Sequence, residues 1–319
     1  MSEILRVNNV SKRYRHHQAL RNISLVVPGG SVFGLLGPNG AGKTSLIRII
    51  NQITAPDTGE IFFNGEKLEA RHVERIGYLP EERGLYKKMT VADQVIYLAR
   101  LKGLSSFEAR KRTDHWFSKF EMHGWRKKKV EELSKGMQQK VQFIVTVIHE
   151  PELLILDEPF SGFDPINAQL IRNEILELRK NGATVIFSTH NMGSVEELCD
   201  HITLINKSEK ILDGPVKEIR KAFRSNMYRI AFKGNVIGFT NALWTGAEIL
   251  EKHDEEDGTH VFTLRTLNKI DANQLLGAIL PVCEIVAFNE IIPSMNDIFI
   301  RKVSEENISA AGTQSNFTE

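Results

Sequence analysis

Gly37-Pro38-Asn39-Gly40-Ala41-Gly42-Lys43-Thr44 follows the pattern G-x-x-x-x-G-K-[ST], and its flanks give it the setting that pattern requires. Ser31-Val32-Phe33-Gly34-Leu35-Leu36 before it reads as a buried strand, and Ser45-Leu46-Ile47-Arg48-Ile49-Ile50 after it reads as a helix. In that setting the glycines let the loop wrap so that backbone N–H groups converge on phosphate oxygens, and the helix N-terminus adds partial positive charge. Lys43 is then expected to reach the β- and γ-phosphates and the Thr44 hydroxyl to bind Mg²⁺. The stretch predicts a nucleoside triphosphate site.

Outward from the loop, the chain reads as an alternating α/β domain. Upstream, Ile4–Val10 and Ile23–Val27 have strand character, with Pro28-Gly29-Gly30 turning into the strand before the loop. Tyr14 offers a flat ring for a purine base, against the plainer reading of an edge aromatic packed on the sheet. Downstream, Ile61–Glu66 predicts a hairpin closing on Asn64-Gly65, and Ile76–Pro80 a short strand leading to the polar Glu81-Glu82-Arg83-Gly84. From Thr90 to about Glu132, apolar residues recur at helical spacing, which marks a helical insertion. The basic run Arg126–Lys129 within it reads as a solvated face, because it is short and Glu131 and Glu132 follow.

Leu153-Leu154-Ile155-Leu156 is apolar on both faces, as in a parallel sheet, and delivers Asp157 and Glu158 to its C-terminal end. Helix Ala168–Lys180 and strand Thr184–Ser188 follow, ending at Thr189-His190, and a helix near Val195–Leu198 and strand Ile202–Ile205 complete the sheet. Residues 217–225 are charged and read as a linker. Residues 226–303 fit a small α+β domain with strands Tyr228–Phe232, His260–Leu264 and Glu284–Phe288, and helices Asn241–Leu250, Asp271–Ile279 and Met295–Arg301. The polar tail, residues 304–319, is expected to be disordered.

Composition excludes several classes. A net charge of +1 gives no bulk attraction for nucleic acid, which is not expected as a partner. Cys199 and Cys283 lack ligand spacing and read as buried free thiols. The N-terminal residues carry no secretory pattern, and no run approaches the roughly 20 apolar residues of a spanning helix, so a membrane role is expected to come through a partner.

Leu133-Ser134-Lys135-Gly136-Met137-Gln138-Gln139-Lys140-Val141 resembles the L-S-G-G-Q signature of ABC ATPases, and the likeness covers residues 4 to 215 with the family's motifs in order. It implies a P-loop NTPase cassette, residues 1–216, with a mixed sheet core, an antiparallel β subdomain and a helical subdomain at about 88–135. It also implies the roles. Tyr14 resembles the adenine-stacking aromatic, and Gly37 to Thr44 with Ser45 the Walker A loop. Asp157 resembles the Walker B carboxylate on Mg²⁺, Glu158 the carboxylate that polarises the attacking water, and His190 the switch histidine. Asp164, in Ser161-Gly162-Phe163-Asp164, belongs to the loop that crosses between protomers. Ser134 and Gly136 then contact ATP held by the opposite subunit.

Three departures stand out. Glu81 occupies the place of the family's Q-loop glutamine, where a carboxylate can ligate Mg²⁺ but offers no amide donor. Lys135 replaces a signature glycine, and Met137 the glutamine. The Pro-Glu-Glu-Arg-Gly-Leu-Tyr segment and the ending Ile292–Phe299 resemble the subset tied to sodium and multidrug export. The resemblance implies the ATP-hydrolysing subunit of a transporter, with export as the favoured direction, on the cytoplasmic face of the membrane. Its partners are then an integral-membrane permease and a second cassette, as a homodimer. The alternatives are a soluble ABC-type ATPase acting on ribosome or DNA, and a non-transport regulatory cassette. A single cassette without heptad arrays, and the presence of Glu158 and His190, argue against them.

Overall fold

A computed structural model describes residues 2–82, 84–243, 246–267 and 270–314, and the chain divides into two compact units, Met1–Val216 and Lys217–Glu319. The first unit opens with β1 (Glu3–Tyr14), β2 (His17–Pro28), β3 (Val32–Leu36), α1 (Lys43–Ile50), β4 (Thr58–Phe63), β5 (Glu66–Lys67) and β6 (Ile76–Leu79). The helical part follows, with α2 (Val91–Leu101), α3 (Ser106–Lys119) and α4 (Lys135–Val147). The chain then returns to the sheet through β7 (Leu153–Asp157), α5 (Pro165–Lys180), β8 (Thr184–Thr189), α6 (Met192–Leu198), β9 (His201–Asn206) and β10 (Glu209–Pro215).

The central sheet has the order β10-β9-β3-β8-β7-β6. All its neighbours are parallel except the edge pair β9–β10. Every residue of β3, β7 and β8 is buried, which is why they read as unbroken apolar runs rather than alternating ones. The second sheet, β2-β1-β4-β5, is antiparallel, and Asn64 and Gly65 make its tight β4–β5 turn with φ of 50° and 81°. Two positive φ values in a row are what a two-residue hairpin loop needs, and Asn-Gly tolerates them best.

The helices start where their caps dictate. Thr90 accepts from the Asp93 N–H, Ser105 forms a reciprocal box with Glu108, and Ser134 accepts from the Met137 N–H. Trp116 of α3 and Phe120, the residue that ends that helix, pack on Phe143 of α4, with ring centroids 6.2 and 6.1 Å apart. Lys119 joins α3 to α5 by reaching Glu174 and Glu177, both at 2.7 Å.

The second unit contains α7 (Val216–Ala222, beginning at the boundary), β11 (Met227–Gly234), α8 (Val236–Leu243), β12 (Ala247–Asp254), β13 (His260–Thr266), α9 (Ala272–Ile279), β14 (Cys283–Ile291) and α10 (Met295–Gln314). Its β-α-β-β-α-β order and strand arrangement β12-β13-β11-β14, antiparallel throughout, make a split β-α-β fold. Its core stacks Phe232 on Phe239 at 3.9 Å, with Phe262 edge-on to both.

Three expectations for this unit change. Most of the segment read as a linker is α7, where Val216 and Ile219, one turn apart, are buried within a charged run. The helix expected over Asn241–Leu250 is instead the end of α8 and the start of β12. The stretch Ala247–Lys252 has helix-forming composition, but pairing with β13 overrides it. The tail expected to be disordered from residue 304 contains the rest of α10. Ser294 and Asp297 cap that helix, and the Arg301–Glu305 pair at 3.0 Å supports it. Residues 315–319 lie outside the described residues.

Candidate functional site

Strand register brings the separate motifs to one edge. Leu36 of β3 pairs with Thr189 of β8, and Asp157 of β7 pairs with Ser188, so the three strands end level. The phosphate loop, Asp157-Glu158 and Thr189-His190 therefore leave the sheet side by side at its C-terminal edge, where such sheets place ligand sites.

Two glycines fix the loop's path. A side chain on Gly37 (φ +149°) would lie 2.2 Å from the Ile205 carbonyl oxygen, and one on Gly42 (φ +116°) 2.3 Å from the Ala19 carbonyl oxygen. Pro38 and Ala41 shape the loop from behind: the Ala41 N–H donates to the Pro38 carbonyl at 3.2 Å, and the Ala41 methyl is buried. The Lys43 ammonium donates to the Gly37 carbonyl at 2.7 Å and the Pro38 carbonyl at 3.1 Å. Burial pushes the Lys43 pKa down, and Glu158, Asp157 and Glu81 oppose that shift.

A cavity of about 350 Å³ opens in front of the loop. Asn39, Gly40, Gly42, Lys43, Thr44 and Ser45 form one wall, and Glu81, Asp157, Glu158 and His190 form another. The antiparallel sheet contributes Tyr14, His17 and Ala19. His17 and Ala19 escaped the sequence reading; a two-residue turn without glycine, Arg15-His16, swings them back beside Tyr14. A larger cavity of about 800 Å³ lies between α3 and α5, but no phosphate-loop residue lines it.

The acidic side is held by neighbours that sequence spacing did not single out. Ser188 Oγ donates to Asp157 Oδ1, while Thr44 Oγ1 lies 3.4 Å from Asp157 Oδ2. Burial pushes the Asp157 pKa up, and Glu158 adds to that shift. Glu158 has φ of +48°, a strained value for a residue with a side chain. Its N–H donates to the Ser188 carbonyl at 3.1 Å. Its Oε1 accepts from His190 Nδ1 at 2.7 Å and the His190 N–H at 3.1 Å, and its Oε2 from Thr189 Oγ1 at 3.2 Å. Because a carboxylate only accepts, Nδ1 carries the hydrogen and Nε2 stays free. Gln142 of α4 donates to the Pro80 and Glu82 carbonyls at 3.2 and 3.3 Å, which steadies the loop bearing Glu81. Arg83 lies outside the described residues.

Ser134, Gly136 and Asp164 do not line this cavity. Ser134 caps α4, Gly136 has open space where a side chain would stand, and Asp164 caps α5 by accepting from the Ile166 and Asn167 N–H groups at 3.0 Å. Those bonds hold the Asp164 carboxyl below its ordinary range.

Carboxylates decide what the cavity accepts. Glu81, Asp157 and Glu158 line it against a single lysine, so carboxylates outnumber cationic side chains on its walls. A divalent cation fits that donor set. Among the described residues no group of three or more His, Cys, Asp or Glu could hold a metal ion.

The sequence matches the family described as "ABC transporter" over residues 20–161, and "ATP-binding protein DrrA1-3-like, C-terminal domain" over 214–303. It is 39% identical over 300 residues to the uncharacterized ABC transporter ATP-binding protein YhaQ of Bacillus subtilis, covering 94% of this chain and 98% of that one. It is 32% identical over 224 residues to the lipopolysaccharide export system ATP-binding protein LptB of Acidithiobacillus ferridurans, covering 69% and 93%. A solved ATP-binding subunit of an ABC transporter superposes with a TM-score of 0.65 at 30% identity, covering 69% of this chain and 93% of that one.

Proposed function

Because the chain belongs to the family of ABC transporter ATP-binding proteins and is an ATPase, we propose that it hydrolyses Mg-ATP at this cavity to drive a separate permease. The observation that carries this reading is the level ending of β3, β7 and β8, which sets the phosphate loop, Asp157-Glu158 and His190 around one space.

Lys43 and the loop N–H groups bind the β- and γ-phosphates, and Tyr14 takes the base. Thr44 and Asp157 hold the Mg²⁺, which neutralises charge on the phosphoryl oxygens when bound. Glu158 orients the water. Three of its roughly four lone-pair positions are taken by His190 and Thr189, which leaves one on Oε2 to accept from a water aligned with the γ-phosphorus. The water oxygen bonds to phosphorus, the bond to the β–γ bridging oxygen breaks, and the proton passes to Glu158 or the phosphate. His190 holds that carboxylate through Nδ1, and a contact from Nε2 to the γ-phosphate requires a hydrogen on that nitrogen as well, so it is made by the doubly protonated ring.

Ser134, Gly136 and Asp164 complete the site of a second copy, which accounts for their position away from the cavity of their own chain. A cleft of about 410 Å³, lined by Ile53, Tyr78, Leu85, Leu98 and Leu101 among others, fits a cytoplasmic element of the permease. No described helix is long and apolar enough to cross a membrane; the permease is then what couples the chain to transport across it. Likeness to an export-system subunit favours export as the direction.

The test is steady-state hydrolysis by the chain and by Glu158→Gln, with both sized in Mg-ATP. We expect the variant to bind ATP, to lose about 10²–10⁴-fold in turnover as for a missing general base, and to accumulate as a dimer. Full turnover in the variant would remove Glu158 from the mechanism.

A further inference from the structure

The helical part carries a cationic surface that the catalytic cycle does not use. Two segments distant in sequence are zipped together there. The Val91 and Ala92 N–H groups donate to the Lys128 and Arg126 carbonyls at 2.9 and 3.1 Å, and the Val130 and Glu131 N–H groups to the Met89 and Lys87 carbonyls at 3.0 Å. Thr90 and Lys129 form an antiparallel bridge between them. The basic run that reads as a short solvated face thus gains Lys87 and Lys88 alongside. Lys87, Lys88, Lys127, Lys128 and Lys129 are all exposed. None of the five enters an ion pair among the described residues, while Arg126 is taken by Asp114. Glu132 turns back on the Lys129 N–H, Asp93 accepts from the Thr90 hydroxyl, and Glu131 is exposed, so five lysines against three carboxylates leave two positive charges in excess.

Tyr86 and Tyr97 stand next to this surface in an edge-on pair, centroids 6.1 Å apart, and are 53% and 43% exposed. Lysines with apolar stems beside tyrosines that keep a polar tip in water match the chemistry of a headgroup layer. We propose that this patch binds an anionic phospholipid surface. Lipid is favoured over nucleic acid because the free cations are all lysines. These act as point charges and lack the planar fork that reads phosphate and bases, and a net charge of +1 provides no longer basic track. The inference takes only the exposed charge and does not need the permease.

Each lysine near an anionic bilayer is worth about five-fold in partitioning, so three together are worth roughly a hundred-fold. The experiment floats the full chain with phosphatidylcholine vesicles, with and without a quarter phosphatidylglycerol, and measures ATP hydrolysis on the same samples. The chain should float only with the anionic vesicles at low salt. Lys127→Gln/Lys128→Gln/Lys129→Gln should lose this roughly a hundred-fold with hydrolysis unchanged, and Lys87→Gln/Lys88→Gln should lose it in part. Raising salt to about 0.1 M, where the Debye length is about 10 Å, should weaken it. Equal flotation of chain and variants, no flotation on the anionic vesicles, or displacement from them by duplex RNA at lower concentration than by free phosphatidylglycerol vesicles would each overturn the proposal.

Discussion

Gly42→Ala isolates the geometric demand of the phosphate loop, because Gly40 in the same loop provides its control. Both have positive φ, +116° and +78°, so a side chain at either pays for a backbone conformation that L-residues avoid, about 1–2 kcal/mol. They differ in surroundings. At Gly40 a methyl meets nothing within 4 Å, whereas at Gly42 it meets the Ala19 carbonyl oxygen at 2.3 Å and Leu20 Cδ2 at 2.9 Å. Backbone on one side and a buried leucine on the other leave no flexible end to yield, so the overlap adds about 1–3 kcal/mol. The gain from a stiffer unfolded chain is common to both variants and cancels. At about 2–4 °C per kcal/mol for a domain of this size, Gly42→Ala should melt several degrees below Gly40→Ala. Since relief of the overlap must move the loop from β2, nucleotide affinity should fall by at least about ten-fold beyond the control, or about 1.4 kcal/mol. Thermal melting and calorimetric titration with ATP check both. Equal melting temperatures and affinities for the two variants would refute the claim that contact with Ala19 dictates glycine at this position.

Asp157→Asn should raise the melting temperature of the nucleotide-free chain and remove the further rise that Mg-ATP provides. Burial lifts the folded pKa of Asp157 above its unfolded value, so its stabilising protonation is present below the ordinary carboxylate range and lost as pH rises through the raised value. A lower melting temperature for the variant without nucleotide at neutral pH would contradict this. Leu85→Asp, which places a charge in the cleft beside Tyr78 and Leu98, should abolish transport by the assembled complex while leaving hydrolysis by the isolated chain unchanged; intact transport would remove that cleft as the permease contact.

What could be read from the sequence divides along a physical line. The phosphate loop, the Asp157-Glu158 strand end and the Thr189-His190 strand end were legible because local constraints write them: glycines where a side chain cannot stand, and apolar runs where both sheet faces are covered. Long-range geometry left weaker traces. Ser188 looks like any strand residue until its register opposite Asp157 makes it the donor to that carboxylate. His17 reaches the cavity only because β1 and β2 pair tightly across two residues. In the second unit, Ala247–Lys252 is helix-forming by composition, and only the neighbouring β13 makes it a strand.

The same line explains why Glu81 could be noticed in the sequence but not weighed there. Set against a family pattern it is one exchanged residue, amide for carboxylate. In the folded chain it is the third carboxylate around one buried lysine, where burial lowers the Lys43 pKa and Glu158, Asp157 and Glu81 oppose that shift. Charge is additive in space and not in sequence, so the crowding of three carboxylates near Lys43 shows only once the residues after β6 and β7 line one cavity with α1. A cassette with glutamine at that place has one negative charge fewer to offset. We therefore expect Glu81→Gln to make nucleotide binding less dependent on Mg²⁺, and calorimetric titration of ATP with and without the ion checks this; equal dependence in the two chains would refute it.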